Sequence, residues 1–361
     1  MPLEEPAWWY GPADSMVVRL LSPVARFYGW RAAARLTSRQ PYRSRLPVIC
    51  AGNFTAGGTG KTPLTLHILQ RLASMGETPA VLTRGYGGKL RGPHWIDAEH
   101  DTAKDVGDEP LLLARIVPTL IARDRRAGAI AIETSRPNTT VIVMDDGLQN
   151  PRLAKDLTIA VVDARRGIGN GHVIPAGPLR APLGEQLART DAILVNVPPG
   201  LHGTSVDAAE TAADAKAARL HDRLRHDFPG PVLAAHVSAV GDLGWLAERP
   251  VVAFAGIANP KRFFSLIEQA GGQIAERVAF KDHHPFTDAD AERLLARARA
   301  LSATLVTTEK DRARLAGMGG AAGELLAASH TIAIALQLNG DDGQRLDEML
   351  RAALATGGYR D

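Results

Sequence analysis

The chain has 361 residues, 45% of them hydrophobic, and a formal net charge of +3. This length fits two ordinary domains or one large α/β unit, and so small a net charge does not indicate nucleic-acid binding. The single cysteine, Cys50, excludes an internal disulfide bond and a zinc site built from cysteines. No stretch approaches the length of apolar sequence that spans a membrane, and the acidic, proline-rich N-terminus does not resemble a secretory signal.

The first predicted element is an amphipathic helix within an N-terminal segment that we place at residues 1–40. When residues 16–30 are drawn on a helical wheel, their main apolar side chains lie within an arc of about 140°. Pro23 would either kink this helix or mark its start. Such a helix usually packs on the protein's own core, but this one also suits a membrane surface because arginines and interfacial tryptophans flank it. The apolar arc comprises Met16, Val17, Leu20, Leu21, Val24, Phe27 and Tyr28, and the tryptophans are Trp8, Trp9 and Trp30.

Short apolar runs alternate with helical patterns along the next part of the chain, which we place at residues 41–202. Helical spacing occurs at 62–75 and 124–137. This alternation predicts βαβ units and a mostly parallel sheet. The predicted strands are 46–52, 79–85, 139–147, 157–164 and 191–197.

A change of composition separates this part from the rest of the chain. Residues 203–230 are rich in alanine and in charged side chains, which is typical of an exposed helical connector. The α/β alternation then resumes, so we predict a second, smaller α/β domain at residues 231–361. Its predicted strands are 250–257, 303–310 and 330–336.

The stretch GNFTAGGTGKTP, at residues 52–63, nearly matches a phosphate-binding loop. The motif begins with a glycine five residues before its Gly-Lys-Ser/Thr, and Thr55 occupies that position here. A β-branched strand precedes the stretch, and a helical pattern ending near Gly76 follows it. Strand, glycine-rich loop and helix form the arrangement that holds phosphate on backbone N–H groups. The predicted nucleotide-binding residues are Thr55, Ala56, Gly57, Gly58, Thr59, Gly60, Lys61 and Thr62.

A second motif supports nucleotide binding. The apolar strand TVIVMDDG ends in Asp145 and Asp146, which is typical of the acidic strand that holds Mg²⁺ in nucleotide hydrolases and kinases. Either motif alone could be structural, since glycine-rich turns and acidic strand ends also occur without a ligand. Their order, with α/β sequence between them, favours a nucleotide site.

Other motifs have structural explanations when taken singly. Asp108 in VGDEP could cap a helix, and Thr308 with Asp311 in TTEKD resembles a capping pair. His283 and His284 in KDHHPF could belong to an ordinary surface loop.

Together and in order, however, the motifs resemble the tetraacyldisaccharide 4′-kinase family of lipid A biosynthesis. That family's loop also lacks the first glycine, but its members commonly have an acid where this chain has Ala181. The resemblance implies a P-loop NTPase-like, mostly parallel sheet with flanking helices, plus the smaller α/β domain and the N-terminal helix. The matching stretches are GNFTAGGTGKTP, RGYGG, VGDEP, DDGLQ, DARRGIGNGHVIPAGPLR, AGIANPKRFF, DHHPF and TTEKD.

The resemblance also implies an activity. The γ-phosphate of ATP would pass to the 4′-hydroxyl of a tetraacyldisaccharide 1-phosphate, with ATP and Mg²⁺ as cofactors. The implied partner is this lipid, not a nucleic acid. The implied location is peripheral, on the cytoplasmic face of the bacterial inner membrane.

Residue roles follow from the same resemblance. Asp108 would be the general base, working with His283, while Lys61 would stabilise the transferred phosphate. The pair of Asp108 and His283 would join the two domains, so that the smaller domain closes an active-site cleft. The implied Mg²⁺ ligands are Thr62 and one of Asp145 and Asp146, with Glu109 as a further candidate near the metal. The candidates for binding the acceptor are Arg84, Tyr86, Gln149 and Arg180, with Arg165 and Arg166 as further candidates for either substrate.

Three other functions remain open from the residues alone. A GTPase switch or metal-insertion protein should carry a base-reading Asn/Thr-Lys-x-Asp motif, which TTEKD only half resembles. A kinase of small cytoplasmic metabolites would have no use for a membrane-facing N-terminus. A binding protein with a disabled nucleotide site is disfavoured by the intact Lys61, Thr62, Asp145 and Asp146.

Overall fold

Two β-sheets organise the chain, in a computed structural model that describes residues 5–37, 40–197 and 212–357. The helices are α1 Met16–Thr37, α2 Lys61–Ser74, α3 Ala103–Val106, α4 Asp108–Ala114, α5 Arg125–Ser135, α6 Leu183–Leu187, α7 Ala212–Asp227, α8 Pro260–Gln269, α9 Asp288–Ala300, α10 Glu309–Leu315, α11 Gly320–Ala328 and α12 Asp342–Thr356. The strands are β1 Val48–Gly52, β2 Pro79–Thr83, β3 His94–Trp95, β4 Thr119–Ile121, β5 Val141–Asp145, β6 Leu157–Asp163, β7 Ala192–Asn196, β8 Val232–Val240, β9 Val251–Ala255, β10 Ile274–Ala279, β11 Thr304–Thr307, β12 Ser329–Thr331 and β13 Ala333–Leu338.

The larger sheet has nine strands in the order β13-β8-β7-β6-β1-β5-β2-β4-β3. Its interior strands are parallel, while β3 and β13 pair antiparallel at the two edges. Strands β1 and β5 are buried along their whole length, which explains their unbroken apolar sequences. The predicted architecture of a mostly parallel sheet with flanking helices is confirmed, and the five predicted strands of this part all form.

The smaller sheet has four parallel strands in the order β10-β9-β11-β12. Its two cores lie on opposite faces, one around Phe254 and Phe286 and the other around Phe263 and Ile267. The β11–α10 and β9–α8 connections both begin at the carboxyl ends of their strands, which is where ligands bind in open parallel sheets.

The division between the two parts differs from the predicted boundary at residue 231. Strands β8 and β13 belong to the larger sheet, and Leu346 and Leu350 of α12 pack in its core. The predicted strand at 330–336 is in fact two strands, since β12 pairs with β11 and β13 pairs with β8. A continuous apolar run cannot reveal that its two halves are buried in different cores, because both halves need apolar side chains.

The predicted connector is also more buried than expected. Leu224 and Phe228, in and just after α7, pack against the larger sheet, so this helix is amphipathic and not exposed on all sides. Residues 203–211 of the predicted connector lie outside the described residues.

Helix α1 begins at Met16 and contains Pro23 within its length. It packs through the small or apolar residues Val18, Ala25, Gly29 and Leu36. The predicted apolar arc faces away from the core except for half-buried Leu21, with Met16 78%, Leu20 73% and Phe27 64% exposed. Trp30 is exposed, but Trp9 is buried against the protein, which corrects its predicted interfacial position. Within the described residues, no helix combines the length and the apolar composition that crossing a bilayer requires.

Candidate active site

A cleft of about 1630 Å³ lies between the carboxyl ends of the two sheets. The phosphate loop and Glu109 line it from the larger sheet, while His283 and Lys310 line it from the smaller one. Ion pairs join the two sides of the cleft: Arg314 with Asp108, Lys310 with Glu109, and Arg262 with Asp163.

The phosphate loop connects β1 to the first turn of α2. Asn53 organises it from inside, because its Nδ2 donates to the Thr55 carbonyl at 2.7 Å and to Thr59 Oγ1 at 2.9 Å. Gly57 and Gly60 both have φ of 97°, a conformation that side chains rarely adopt. The loop therefore obtains its backbone freedom from glycines after position 55, which is why Thr55 is compatible with it.

Gly60→Ala is expected to abolish most nucleotide binding. A Cβ at this position would lie 2.8 Å from Nδ2 of buried Asn196, in addition to the backbone strain. Gly76→Ala is the matched control, because Gly76 has φ of +87° but open space around its Cβ position. We expect both variants to lose about 1–2 kcal/mol of unfolding free energy from the left-handed backbone, and only Gly60→Ala to lose ATP affinity. Titration calorimetry with ATP tests this, and equal ATP affinity in the two variants would contradict a phosphate site at this loop.

The aspartate that ends β5 and the aspartate that follows it have different surroundings. Asp145 is buried and accepts hydrogen bonds from the hydroxyls of Thr65, at 2.9 Å, and Thr83, at 3.3 Å. Burial, together with the nearby carboxylates of Glu109 and Asp146, raises the pKa of Asp145 to about 6.

Asp146 directly follows the last residue of β5, has φ of 51° and contacts two cations. Arg180 Nη1 donates to its Oδ1 at 2.6 Å, and Lys61 Nζ is 3.8 Å from the same oxygen. Burial disfavours its charge, but Arg180 and Lys61 outweigh this effect and lower the pKa of Asp146 to about 2.

Thr62, Asp145, Asp146 and Glu109, which are predicted to hold Mg²⁺, carry the kind of ligand atom that this ion prefers. All supply oxygen, and Mg²⁺ typically takes one or two carboxylates plus water and substrate phosphates. The hydrogen bonds that Asp145 accepts come from neutral hydroxyls, so a cation would stabilise its ionised form. In the described part of the chain, no three acidic, histidine or cysteine side chains form a metal cage by themselves. Thr62 lies in the first turn of α2 and Glu109 in the first turn of α4.

Asp108 and His283 are in contact across the cleft, with His283 Nδ1 3.2 Å from Asp108 Oδ2. Asp108 is the first residue of α4 and Gly107 is its cap, so the capping explanation for Asp108 is wrong. His283 has φ of 56° and donates its backbone N–H to the Gly256 carbonyl at 3.0 Å.

The charge states of this pair are coupled. Burial opposes ionisation of Asp108, but the hydrogen bond to His283 and the charge of Arg314 hold its pKa well below the usual range. The hydrogen bond to Asp108 raises the pKa of His283, against the effect of burial. Asp108 therefore stabilises the imidazolium form of His283 once the ring accepts a proton.

Two residues at this site were missed by the sequence interpretation. Arg314 Nε donates to Asp108 Oδ2 at 2.8 Å, and its Nη1 donates to Asp311 Oδ1 at 2.7 Å. Lys310 Nζ bonds Glu109, and this neighbour lowers the pKa of Glu109. Lys310 lies in the TTEKD motif, which was a usable signal, whereas nothing distinguishes Arg314 from other arginines in helices.

The remaining motif residues have defined places. Thr308 caps α10 and accepts a hydrogen bond from the Asp311 backbone N–H at 3.1 Å, as its structural explanation predicted. His284 stacks on Phe280 and bonds Asp290 at 3.0 Å, so only His283 of the histidine pair belongs to the contact with Asp108.

The acceptor candidates fall into two groups. Arg84 and Tyr86 are exposed and line the cleft, and the Tyr86 ring is 5.8 Å from that of His283. Gln149 and Arg180 instead support the phosphate loop. Gln149 Nε2 donates to the Asn53 carbonyl at 2.7 Å, and Arg180 Nε donates to the Thr55 carbonyl at 3.1 Å.

The profile of the tetraacyldisaccharide-1-P 4′-kinase family matches residues 17–355. The chain belongs to this family. It is 46% identical over 349 residues to the tetraacyldisaccharide 4′-kinase of Rhodopseudomonas palustris (strain BisB5), covering 96% of each protein. It is 45% identical over 348 residues to that of Bradyrhizobium diazoefficiens, again covering 96% of each. Membership in the tetraacyldisaccharide 4′-kinase family confirms the predicted resemblance and the predicted enzyme class.

A solved structure of the family has the same fold. The crystal structure of LpxK from Aquifex aeolicus in complex with ATP matches 94% of this chain and 100% of its own, with a TM-score of 0.69 at 22% identity. The fold of the 4′-kinase family therefore extends over almost the whole chain.

Proposed function

We propose that the chain transfers the γ-phosphate of ATP to the 4′-hydroxyl of a tetraacyldisaccharide 1-phosphate in lipid A biosynthesis. The observation that carries this proposal is the contact between Asp108 and His283 at the cleft that the phosphate loop and Lys61 line from the larger sheet. A base and a phosphate-binding loop at one cleft are the two parts that phosphoryl transfer to a hydroxyl requires. The ATP complex of the related Aquifex protein supports ATP as the donor.

The nucleotide side of the reaction depends on charge and position. Backbone N–H groups of the loop would hold the phosphates at the start of α2, where the helix terminus is partly positive. Lys61 would approach the β- and γ-phosphates. The candidate holders of Mg²⁺ are Thr62, Asp145, Asp146 and Glu109. When bound, Mg²⁺ supplies positive charge to the phosphate oxygens during transfer.

The acceptor hydroxyl needs a base, since it is a poor nucleophile while it keeps its proton. Asp108 alone would be a weak base because its pKa is held low. His283 has a raised pKa, so the imidazole can accept the proton while Asp108 stabilises the imidazolium. Arg314 would keep the carboxylate ionised and oriented.

Recognition of the acceptor would use the exposed residues beside this pair. Arg84 and Tyr86 are proposed to contact the disaccharide phosphate and sugar directly, since both line the cleft and are accessible. Gln149 and Arg180 are proposed to act indirectly, through the phosphate loop and Asp146 that they hold.

Turnover of different nucleotides and acceptors separates this function from the alternatives. We expect ATP to be used in preference to GTP, and the disaccharide lipid to accelerate ATP consumption. Preferential use of GTP without lipid would favour a switch protein, and acceleration by a soluble metabolite would favour a small-molecule kinase.

The exposed apolar side of α1 is proposed to contact the membrane in which the lipid acceptor resides. Leu20, Val24 and Phe27 project from the protein without covering a core, which is unusual for large apolar side chains on one helix. Amphipathic helices of this kind lie in the interfacial region of a bilayer. We propose that the chain is a peripheral protein on the cytoplasmic face of the inner membrane, where the lipid acceptor enters the cleft from the bilayer.

Substitution of this apolar side is expected to release the protein from vesicles without unfolding it. Leu20→Gln with Phe27→Gln should lower co-sedimentation with phosphatidylethanolamine–phosphatidylglycerol vesicles at least about tenfold, because burial of one such side chain contributes about 1.5–3 kcal/mol. Ile116→Gln with Leu301→Gln is the matched control, since both side chains are exposed elsewhere on the surface. Circular dichroism checks the fold. Equal sedimentation of both double variants would show that the membrane contact lies outside α1.

A further inference from the structure

The segment before α1 lies beside the phosphate loop and is held in place by several hydrogen bonds. Indole Nε1 atoms of Trp8 and Trp9 both donate to the Pro175 carbonyl, at 3.3 Å and 3.0 Å. Asn170 donates its backbone N–H to the Trp9 carbonyl at 2.7 Å and its side-chain amide to the Trp8 carbonyl at 3.1 Å. This anchoring gives the side chains on the segment defined positions.

Glu5 projects from this segment onto the phosphate loop. Its Oε1 lies only 1.8 Å from where a Cβ on Gly57 would be, so the carboxylate contacts the backbone of the loop directly. Arg166 Nη1 donates to Oε1 at 2.8 Å, and the Tyr10 hydroxyl donates to Oε2 at 2.9 Å. Glu5, Tyr10, Arg166 and Lys61 all line the same cleft.

A carboxylate in this position conflicts with the ligand that the loop is built to bind. The loop and the start of α2 favour an anion, and Glu5 places one there. A bound polyphosphate and an ionised Glu5 would then be like charges close together, which is unfavourable. Arg166, by contrast, suits either partner, because a guanidinium pairs with carboxylate and phosphate in the same geometry.

We propose that Glu5 occupies the place of a nucleotide phosphate in the ligand-free chain, and that Arg166 exchanges this carboxylate for the phosphate when nucleotide binds. The exchange rests on nucleotide binding at the phosphate loop, as proposed above. Glu5 is then a competitor within the chain, and the apparent affinity for ATP is reduced by the fraction of molecules in which it is seated. Arg166 becomes a nucleotide-binding residue that Glu5 keeps oriented until the ligand arrives.

Glu5→Gln tests the competition, because it removes the charge and keeps the shape. If Glu5 is seated about nine-tenths of the time, ATP should bind this variant about tenfold more tightly than wild type. Adenosine carries no phosphate, so its affinity should not change. Asp14→Asn is the matched control, since it removes a negative charge from an exposed position in the same region. Tyr10→Phe keeps the charge but removes one of the groups holding it, so we expect a smaller gain in ATP affinity.

Arg166→Met tests the exchange. If Arg166 leaves Glu5 and pairs with the phosphate of bound ATP, this variant should bind ATP more weakly than wild type. Tighter binding would overturn the exchange, because Arg166 would then serve only to hold Glu5. If Glu5→Gln binds ATP with the same affinity as wild type, or more weakly, Glu5 does not compete with the nucleotide phosphate. If neither wild type nor Glu5→Gln binds ATP, the proposed nucleotide site itself is wrong. Calorimetry distinguishes this result from a change in ATP affinity.

Discussion

Lys61→Ala should lower the rate of phosphoryl transfer by a factor on the order of 10² to 10³, the cost of removing one electrostatic contact to a transition state. The Lys61 side chain is mostly buried at the start of α2, and its ammonium is 3.8 Å from Asp146 Oδ1. It is therefore positioned beside both the phosphate loop and the acidic strand. No other lysine contributed by the larger sheet lines the cleft among the described residues.

The fold should survive this substitution, because the distance from Lys61 to Asp146 is long and Arg180 remains paired with the same carboxylate. Thermal unfolding measured beside steady-state turnover separates the two effects. Lys89→Ala is the control, as Lys89 is exposed and outside the cleft. Near-normal turnover of Lys61→Ala would show that the loop is not the site of transfer.

Asp108→Asn and His283→Ala should each reduce turnover by a factor on the order of 10² to 10⁴, the usual contribution of general-base catalysis. The double variant should be little worse than either single one, because residues that act as a unit are not additive. Asparagine is the better replacement at Asp108, since it keeps an oxygen for the buried Arg314. ATP affinity should remain in all three variants. Losses that multiply in the double variant would show that the two residues act independently.

The pH dependence gives this pair a further signature. Activity of the wild type should fall as pH decreases through the raised pKa of His283, because a protonated imidazole cannot accept the acceptor's proton. In Asp108→Asn the carboxylate that raises this pKa is gone, while Arg314 and burial, which lower it, remain. The acidic limb of the remaining activity should therefore move to lower pH. Asp282→Asn, beside the other ring nitrogen at 3.9 Å, is the control and should move it less.

The parts of the fold that could be predicted from sequence are those with local signals. Unbroken apolar runs predict strands β1 and β5. The glycines and the Gly-Lys-Thr sequence predict the loop between β1 and α2. The proximity of Asp108 and His283 was predicted only through the family resemblance, since the two are far apart in the chain.

What could not be predicted depends on long-range packing. Strand β8 joins the larger sheet through its parallel pairing with β7, and β13 joins through its antiparallel pairing with β8. The apolar run around Ile332 looks the same in either core. Arg314 bonds Asp108 only because α10 of the smaller sheet packs beside α4 of the larger one. The position of Glu5 on Gly57 follows from tryptophan and asparagine contacts that have no periodic signature.

The central claim is that this chain phosphorylates the 4′-hydroxyl of the lipid disaccharide. Its most direct test is to incubate the purified protein with Mg²⁺, ATP carrying ¹⁸O in the γ-phosphate, and tetraacyldisaccharide 1-phosphate, and to fragment the product by mass spectrometry. We predict a product with one additional phosphoryl group, with the labelled phosphoryl group on the sugar distal to the original phosphate. Lys61→Ala should form this product more slowly by a factor on the order of 10² to 10³. ATP hydrolysis with unchanged lipid, or a labelled phosphoryl group attached anywhere other than at the 4′-oxygen, would contradict the account.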